Sequence, residues 1–176
     1  MRKIALCMVL ISMLSACSSV QVNYDYEKTA DFETYKTYDY YSDMNTGLSE
    51  LDTRRLLNAM DTALQSQGYT LSATPDFLID IKSSEYQDVQ SNNVGVGVGG
   101  TGSNVGGGIS LGIPIGMNKL NRELIIDFVD EDKNGLFWQA VTQSTYNPNA
   151  SPEKREAQFQ AIVAKVLEGF PPEKQK

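Results

Sequence analysis

The stretch LIIDFVD, residues 124–130, decides the fold of this 176-residue chain. Its residues alternate with the period of a β-strand, and both of its faces are largely apolar, which predicts a central position in a sheet. A polar turn over 130–135 ends in Asn-Gly, and residues 136–145 predict a returning strand that contains Trp138. The centre of the fold is therefore expected to be an antiparallel hairpin.

Three more strands are predicted upstream of this hairpin. Residues 20–26, VQVNYDY, alternate between apolar and polar side chains, and 37–41 forms a short aromatic run. Phe77, Ile79 and Ile81 alternate strongly enough for a third strand. A period of two is typical of strands with one buried face, so the sheet is expected to have about five strands.

Two helices complete the predicted elements. Ser49 precedes acidic residues as an N-cap, and Ser151-Pro152-Glu153 has the order of a helix start. The first helix is expected to bury Leu57, Met60 and Leu64, flanked by Leu56 and Ala63, and to end at Gly68. The second is expected to bury Phe159, Ile162, Val163, Val166 and Phe170.

These elements predict an α+β fold in which two helices pack on one face of a mostly antiparallel sheet. The sheet and helices occupy residues 20–172 as one domain, with a long Gly-rich loop at 94–118 and a polar tail at 173–176.

The Gly-rich loop departs from the rest of the chain. Residues 95–116 contain ten glycines and no charge, beside an otherwise acidic sequence. Three interpretations are open: a loose excursion between strands, a segment of small residues that meets lipid or another copy, and a β-prone aggregation element. As a candidate interaction site we select Gly95, Val96, Gly97, Val98, Gly99, Gly100, Ile109, Leu111, Ile113 and Ile115.

The N-terminus has the layout of a secretory signal. Arg2 and Lys3 precede an uncharged apolar run over 4–14, and small residues lead to Cys17. The run has 11 residues, too few to span a bilayer that needs roughly 20. Leu14-Ser15-Ala16-Cys17 resembles the lipobox of bacterial lipoproteins. The resemblance implies that 1–16 is removed and that Cys17 carries a diacylglycerol and an N-acyl chain, with 17–19 as a polar lead.

The charge of the processed chain limits its partners. From Cys17 onward there are 22 acidic and 13 basic side chains, a formal charge of −9. Such a surface repels phosphate backbones, so we expect no nucleic-acid binding. Contact with a membrane is expected through the lipid.

The residue types present argue against catalysis. The sequence has no histidine, and its two cysteines are Cys7 in the signal and Cys17, so no disulfide is expected. The turn at 130–135 matches the first half of a calcium loop, but the twelfth position is Val141 where a glutamate is needed. We therefore expect no enzyme activity, no cofactor besides the acyl groups, and no metal.

The order of several short segments resembles the bacterial lipoproteins of domain-of-unknown-function family 4136. They are DFETYKTY at 31–38, QGY at 67–69, PDFLI at 75–79, LIIDFVD at 124–130, LFWQA at 136–140 and GFPP at 169–172, with the Gly-rich insertion between the third and fourth. The resemblance implies a membrane-anchored periplasmic α+β domain and transfers no catalytic residue.

These observations favour a non-catalytic envelope lipoprotein that acts through protein–protein contacts, with a protein partner or with itself. The alternative is a module that binds a small apolar ligand or lipid between the sheet and the helices or under the loop. Ser18 follows Cys17, and in the usual sorting rule for lipoproteins this favours the outer membrane over the inner membrane.

Overall fold

The computed structural model of the chain describes residues 20–88, 119–133 and 135–173. The predicted signal peptide at 1–16, Cys17 and the rest of the lead, the Gly-rich segment and the last three residues lie outside the described residues. The described part is a mixed α+β structure with a six-stranded sheet and two helices.

The elements follow the chain in this order. They are β1 (Gln21–Tyr26), a 3₁₀ turn (Phe32–Thr34), β2 (Thr37–Tyr40), α1 (Glu50–Ser66), β3 (Thr70–Leu71), β4 (Phe77–Asp88), β5 (Lys119–Asp130), β6 (Gly135–Thr145) and α2 (Pro152–Leu167).

The strands lie in the order β1-β6-β5-β4-β2-β3. β5 is central, as its two apolar faces predict. Neighbouring strands from β1 through β6 and β5 to β4 are antiparallel, whereas β2 is parallel to both of its neighbours, β4 and β3. The expectation of about five strands was wrong because it missed β3. This strand has two exposed residues, Thr70 and Leu71, which carry no alternation that a sequence pattern could show.

The register defines two ends of the sheet. At the proximal end β1 begins, β4 ends, β5 begins and β6 ends, since Gln21 pairs with Gln143, and Lys119 pairs with Asp88. At the distal end β4 begins and β5 turns into β6 through Asp130 and Gly135. Both helices run from the proximal to the distal end. Gln158, in the second turn of α2, bonds to the carbonyl of Thr145 at the end of β6, Arg155 pairs the start of α2 with Asp52 at the start of α1, and Gln67 after α1 bonds to the carbonyl of Leu167 at the end of α2.

The helices begin where the sequence predicts. The hydroxyl oxygens of Ser49 and Ser151 accept bonds from the backbone N–H groups of Asp52 and Lys154, as N-caps do. The chain leaves α1 through Gly68, whose φ is 94°. The predicted stripe on α1 needs correction: its buried residues are Asp52, Leu56, Ala59, Met60 and Leu64, while Leu57 and Ala63 are half-buried.

One buried cluster joins both helices to one face of the strands. Aromatic rings fill much of it. The Phe77 ring centroid lies 5.0 Å from that of Phe128 and 5.7 Å from that of Phe137. Phe159, Ile162, Val163, Val166 and Phe170 are all buried, as predicted for α2, although Phe170 lies beyond the end of that helix. The space between sheet and helices is therefore occupied by the protein's own side chains.

Candidate interaction surfaces

The predicted site residues connect to the described structure at its proximal end. Cys17 and the ten residues selected in the Gly-rich segment all lie outside the described residues. Gln21, four residues after Cys17, begins β1 at this end. Asp88 and Lys119, which flank residues 89–118, pair with each other there as well. The lead and the Gly-rich segment therefore join the domain at the same end of the sheet.

A buried carboxylate connects the two helices at the proximal end. Asp52 is 1% exposed and accepts bonds from Arg55 at 2.8 Å and from Arg155 at 2.7 Å. Arg155 also donates to the carbonyls of Pro148 and Ala150 just before α2. Because a buried charge is costly unless it is paired and hydrogen-bonded, this network fixes the start of α1 against the start of α2.

Arg122 forms a second polar cluster at this end. Its guanidinium donates to Glu85 at 2.8 Å and lies 3.6 Å from the ring centroid of Tyr146, a cation–π contact. Nε of Arg122 and the hydroxyls of Thr142 and Ser144 are buried and have no hydrogen-bond partner in the part of the chain that the structure describes. Such groups at the rim of a core are places where ordered water can bind.

An acidic pocket of about 420 Å³ lies at the distal end. Its lining includes Asp39, Asp76, Asp130, Glu131 and Asp132. Burial, followed by the hydrogen bond that its hydroxyl donates to Glu131, raises the pKa of Tyr41 to about 12. The pocket concentrates negative charge at the end of the sheet opposite the predicted anchor.

The turn that resembles half a calcium loop is held by the protein's own hydrogen bonds. Asp130 accepts from the Tyr35 hydroxyl at 3.0 Å and from the backbone N–H groups of Asp132 and Lys133. Gly135 has a φ of 66°, the conformation that a glycine in a tight turn supplies. Among the described residues there is no group of three or more potential metal ligands.

The hydrogen bonds to Asp76 at the distal end can be tested through the pH dependence of the free energy of unfolding. Burial raises its pKa, but hydrogen bonds from the Lys36 and Thr37 backbone and from the Thr37 hydroxyl outweigh it, so that the pKa lies below the ordinary 3.8. A lowered pKa gives stability that is present above 3.8 and lost as pH falls through the folded-state value. We expect Asp76→Asn to reduce the free energy of unfolding by about 1 kcal/mol at pH 7.

Urea unfolding of Asp76→Asn and wild type at pH 7 and at pH 3 checks this expectation. The difference in free energy should narrow at the lower pH, where the wild-type carboxylate begins to protonate. Asp132→Asn is the matched control, because Asp132 is an exposed residue of the same pocket and should show little change. If the difference in free energy of unfolding between Asp76→Asn and wild type is the same at pH 7 and pH 3, the lowered pKa of Asp76 is contradicted.

A groove of about 550 Å³ lies where the 3₁₀ turn meets the end of the chain. Tyr26, Phe32, Tyr69 and Pro171 contribute apolar surface, and charged side chains stand at its edge. The basic ones are Lys28 and Lys36, and the acidic ones are Asp31, Glu33 and Glu173. The groove can accept a small ligand or an extended segment with an apolar part and a polar part.

Sequence reasoning did not identify the groove or the two polar clusters. Phe32 and Tyr69 are far apart along the chain and meet only in the folded structure. Arg122 interrupts the buried face of β5, where Leu124 and Ile126 are fully buried. A charged residue in that alternating pattern was the one available signal of the cluster.

Comparison with known families identifies the fold family. The profile of the family described as "Domain of unknown function (DUF4136)" matches residues 22–172. The chain belongs to this family. The match covers nearly all of the sequence after the predicted signal, and it confirms the family that the short motifs indicated.

Two solved structures share the fold of this DUF4136 domain. A PDZ domain protein from Parabacteroides distasonis has a TM-score of 0.56 and 14% identity, and the alignment covers 99% of this chain and 41% of that one. This chain thus spans less than half of that protein's length. The PelC dodecamer from Paraburkholderia phytofirmans has a TM-score of 0.51 and 9% identity, covering 88% of this chain and 99% of that one. At these identities the likeness concerns the fold alone.

No curated protein matches the sequence. Among the described residues, no helix is both long enough and apolar enough to cross a membrane.

Proposed function

We propose that this chain is a non-catalytic, lipid-anchored envelope lipoprotein that acts through protein–protein contacts, with self-association as its first mode. The observation that carries the proposal is the short distance along the chain between anchor and fold. Cys17 stands four residues before β1, so the lipid would hold the domain directly against the membrane. The expected place is the periplasmic side of the outer membrane.

Self-association is supported by the likeness to a chain that assembles with itself. PelC was solved as a dodecamer, and the alignment covers 99% of that chain. The Gly-rich segment offers a second support, because small residues let two backbones approach closely and residues 95–116 carry no charge that would repel a second copy.

Deletion of residues 95–116 tests the role of that segment. Asp88 and Lys119 are paired in the hairpin of β4 and β5, so 89–94 and 117–118 remain to close the turn. We expect the variant to keep its far-ultraviolet circular dichroism and cooperative unfolding, and to lose any oligomer. Light scattering of the detergent-solubilised protein, with a pull-down from solubilised envelope, measures the change.

A control variant of the same length separates the effect of the apolar side chains from the effect of shortening the segment. Ile109, Leu111, Ile113 and Ile115 are replaced together by serine, which keeps the segment and removes its bulky apolar side chains. We expect this variant to lose the oligomer as the deletion does. Recovery of the wild-type protein as a lone monomer with no stoichiometric partner would overturn the proposed function.

The groove at the distal end favours a second candidate function, binding of a small apolar ligand or lipid. Its volume and its aromatic and proline lining suit a ligand with an apolar part. If this function holds, native mass spectrometry of the Cys17→Ser protein should show a co-purifying molecule. Lys36→Trp, at an exposed position of the groove wall, should abolish it, whereas Lys154→Trp on α2 should not. A clean apo mass for the Cys17→Ser protein with an unchanged groove would count against this function.

A further inference from the structure

We propose that the proximal end of the sheet faces the phospholipid surface and that the acidic distal end points away from it. The inference rests on the lipid at Cys17 in the proposed function. It adds an orientation, because it states which end of the domain contacts the membrane and which end is free for a partner.

The lengths of two chain segments carry the first step. The register places Gln21 beside Gln143, and Gln143 beside Glu123. From Cys17 to Gln21 there are four residues, which span at most about 14 Å when extended. The hairpin of β4 and β5 continues four residues beyond Glu123 to Lys119, which is also about 14 Å. Even when the lead is fully extended, an acylated Cys17 can therefore reach the height of the hairpin end and not much farther.

The distribution of charge carries the second step. All four arginines of the described residues lie at the proximal end: Arg54, Arg55, Arg122 and Arg155. Three acidic residues at this end are neutralised by them. Glu50 pairs with Arg54, Asp52 with Arg55 and Arg155, and Glu85 with Arg122. Glu123, Glu153 and Glu156 lie at this end as well, together with Lys154, so the proximal end carries charges of both signs, several of them paired. An anionic headgroup layer therefore repels it less than it repels a cluster of unpaired carboxylates.

The distal end has more acidic than basic side chains. The pocket there brings together Asp39, Asp76, Asp130, Glu131 and Asp132, and the Nζ of Lys133 lies 3.7 Å from Asp130. The groove at the same end adds two lysines, Lys28 and Lys36, and three more acidic residues, Asp31, Glu33 and Glu173. β5 has twelve residues, so this pocket stands about 37 Å from the proximal end. That distance is several Debye lengths at physiological salt, and it keeps the acidic pocket beyond the field of the headgroups.

Fluorescent labels at the two ends test the orientation. Gln87→Cys places a label near the end of β4, and Asp132→Cys places a matched label in the distal turn; both positions are exposed. The processed, full-length lipoprotein has no other free thiol once Cys17 is acylated. It is reconstituted in vesicles of phosphatidylethanolamine and phosphatidylglycerol that carry nitroxide groups on their headgroups, and the mass of the Cys17 peptide is measured in parallel.

We expect the label at position 87 to lose most of its fluorescence and the label at position 132 to keep nearly all of it. Equal quenching at the two positions, or stronger quenching at 132, would overturn the orientation. If the mass of the Cys17 peptide in the same sample shows the acyl groups, the proposed function is not affected by that result. A Cys17 peptide without acyl groups would overturn both, because the orientation depends on that attachment.

Discussion

Replacing Cys17 with serine will move the protein from the membrane fraction to the soluble fraction. In the proposed function two or three acyl chains hold the wild type, and each buried methylene contributes about 0.8 kcal/mol, so the anchor would be worth many times the thermal energy. Serine has no thiol to form the thioether. Fractionation followed by a high-salt wash and immunoblotting measures the change.

Cys7 provides a matched control for this experiment. It is the other cysteine of the sequence and lies inside the predicted signal peptide. Cys7→Ser should leave the protein in the membrane fraction, because in the proposed function this residue is removed with the signal peptide. If Cys17→Ser protein still sediments with membranes after the high-salt wash, the lipid-anchored function is wrong.

Removing the carboxylate of Asp52 will lower the free energy of unfolding of the domain substantially. Asp52→Ala leaves the guanidinium groups of Arg55 and Arg155 facing each other at the junction of the two helices without their shared partner. Breaking a buried pair from one side typically costs about 3 kcal/mol or more. We therefore expect a fall of about 3 kcal/mol in the free energy of unfolding, measured by urea denaturation.

Glu50→Ala is the matched control for Asp52→Ala. Glu50 lies in the same first turn of α1 and also pairs with an arginine, Arg54, but its side chain is 87% exposed. Exposed pairs contribute about 0–1 kcal/mol, so this variant should remain close to wild type. Equal losses for the two variants would mean that helix–dipole effects, and not the buried network, dominate at this site.

Local signals in the sequence predicted the helices and the central strands. Ser49 and Ser151 cap the helices as expected, because an N-cap depends on a few neighbouring residues. The strands β4 and β5 followed from runs of large apolar residues with a period of two, and β6 followed from the Asn-Gly turn that precedes it. The fold class could be read from this pattern, since it depends on which faces must be buried.

Features set by distant residues were not predictable in the same way. α1 is rotated relative to its predicted stripe, with Asp52 and Ala59 buried where Leu57 and Ala63 were expected. Arg155 of α2 pairs with Asp52 and so compensates the burial of its charge on that side of α1. A hydrophobic pattern on one helix contains no information about a cation on another.

The candidate sites show the same limit. The anchor was predicted from residues that are contiguous in the sequence, whereas the groove around Phe32 and Tyr69 depends on chain segments that meet only after folding. The acidic pocket likewise joins Asp39 from β2 with the turn after β5. A single sequence shows which residue types are present, but it does not show which distant segments come together to form the groove and the acidic pocket.

The pairing of β1 with β6 imposes an order on assembly. Tyr24 pairs with Ala140, its partner from the other end of the sequence, and β1 has β6 as its one neighbour in the described sheet. Closing so large a loop is slow compared with forming the local hairpin of β5 and β6. Because synthesis proceeds from the N-terminus, β1 is made first and cannot pair with β6 until the residues from 138 onward have been made. A nascent chain that stops earlier leaves that strand without a neighbour to hydrogen-bond.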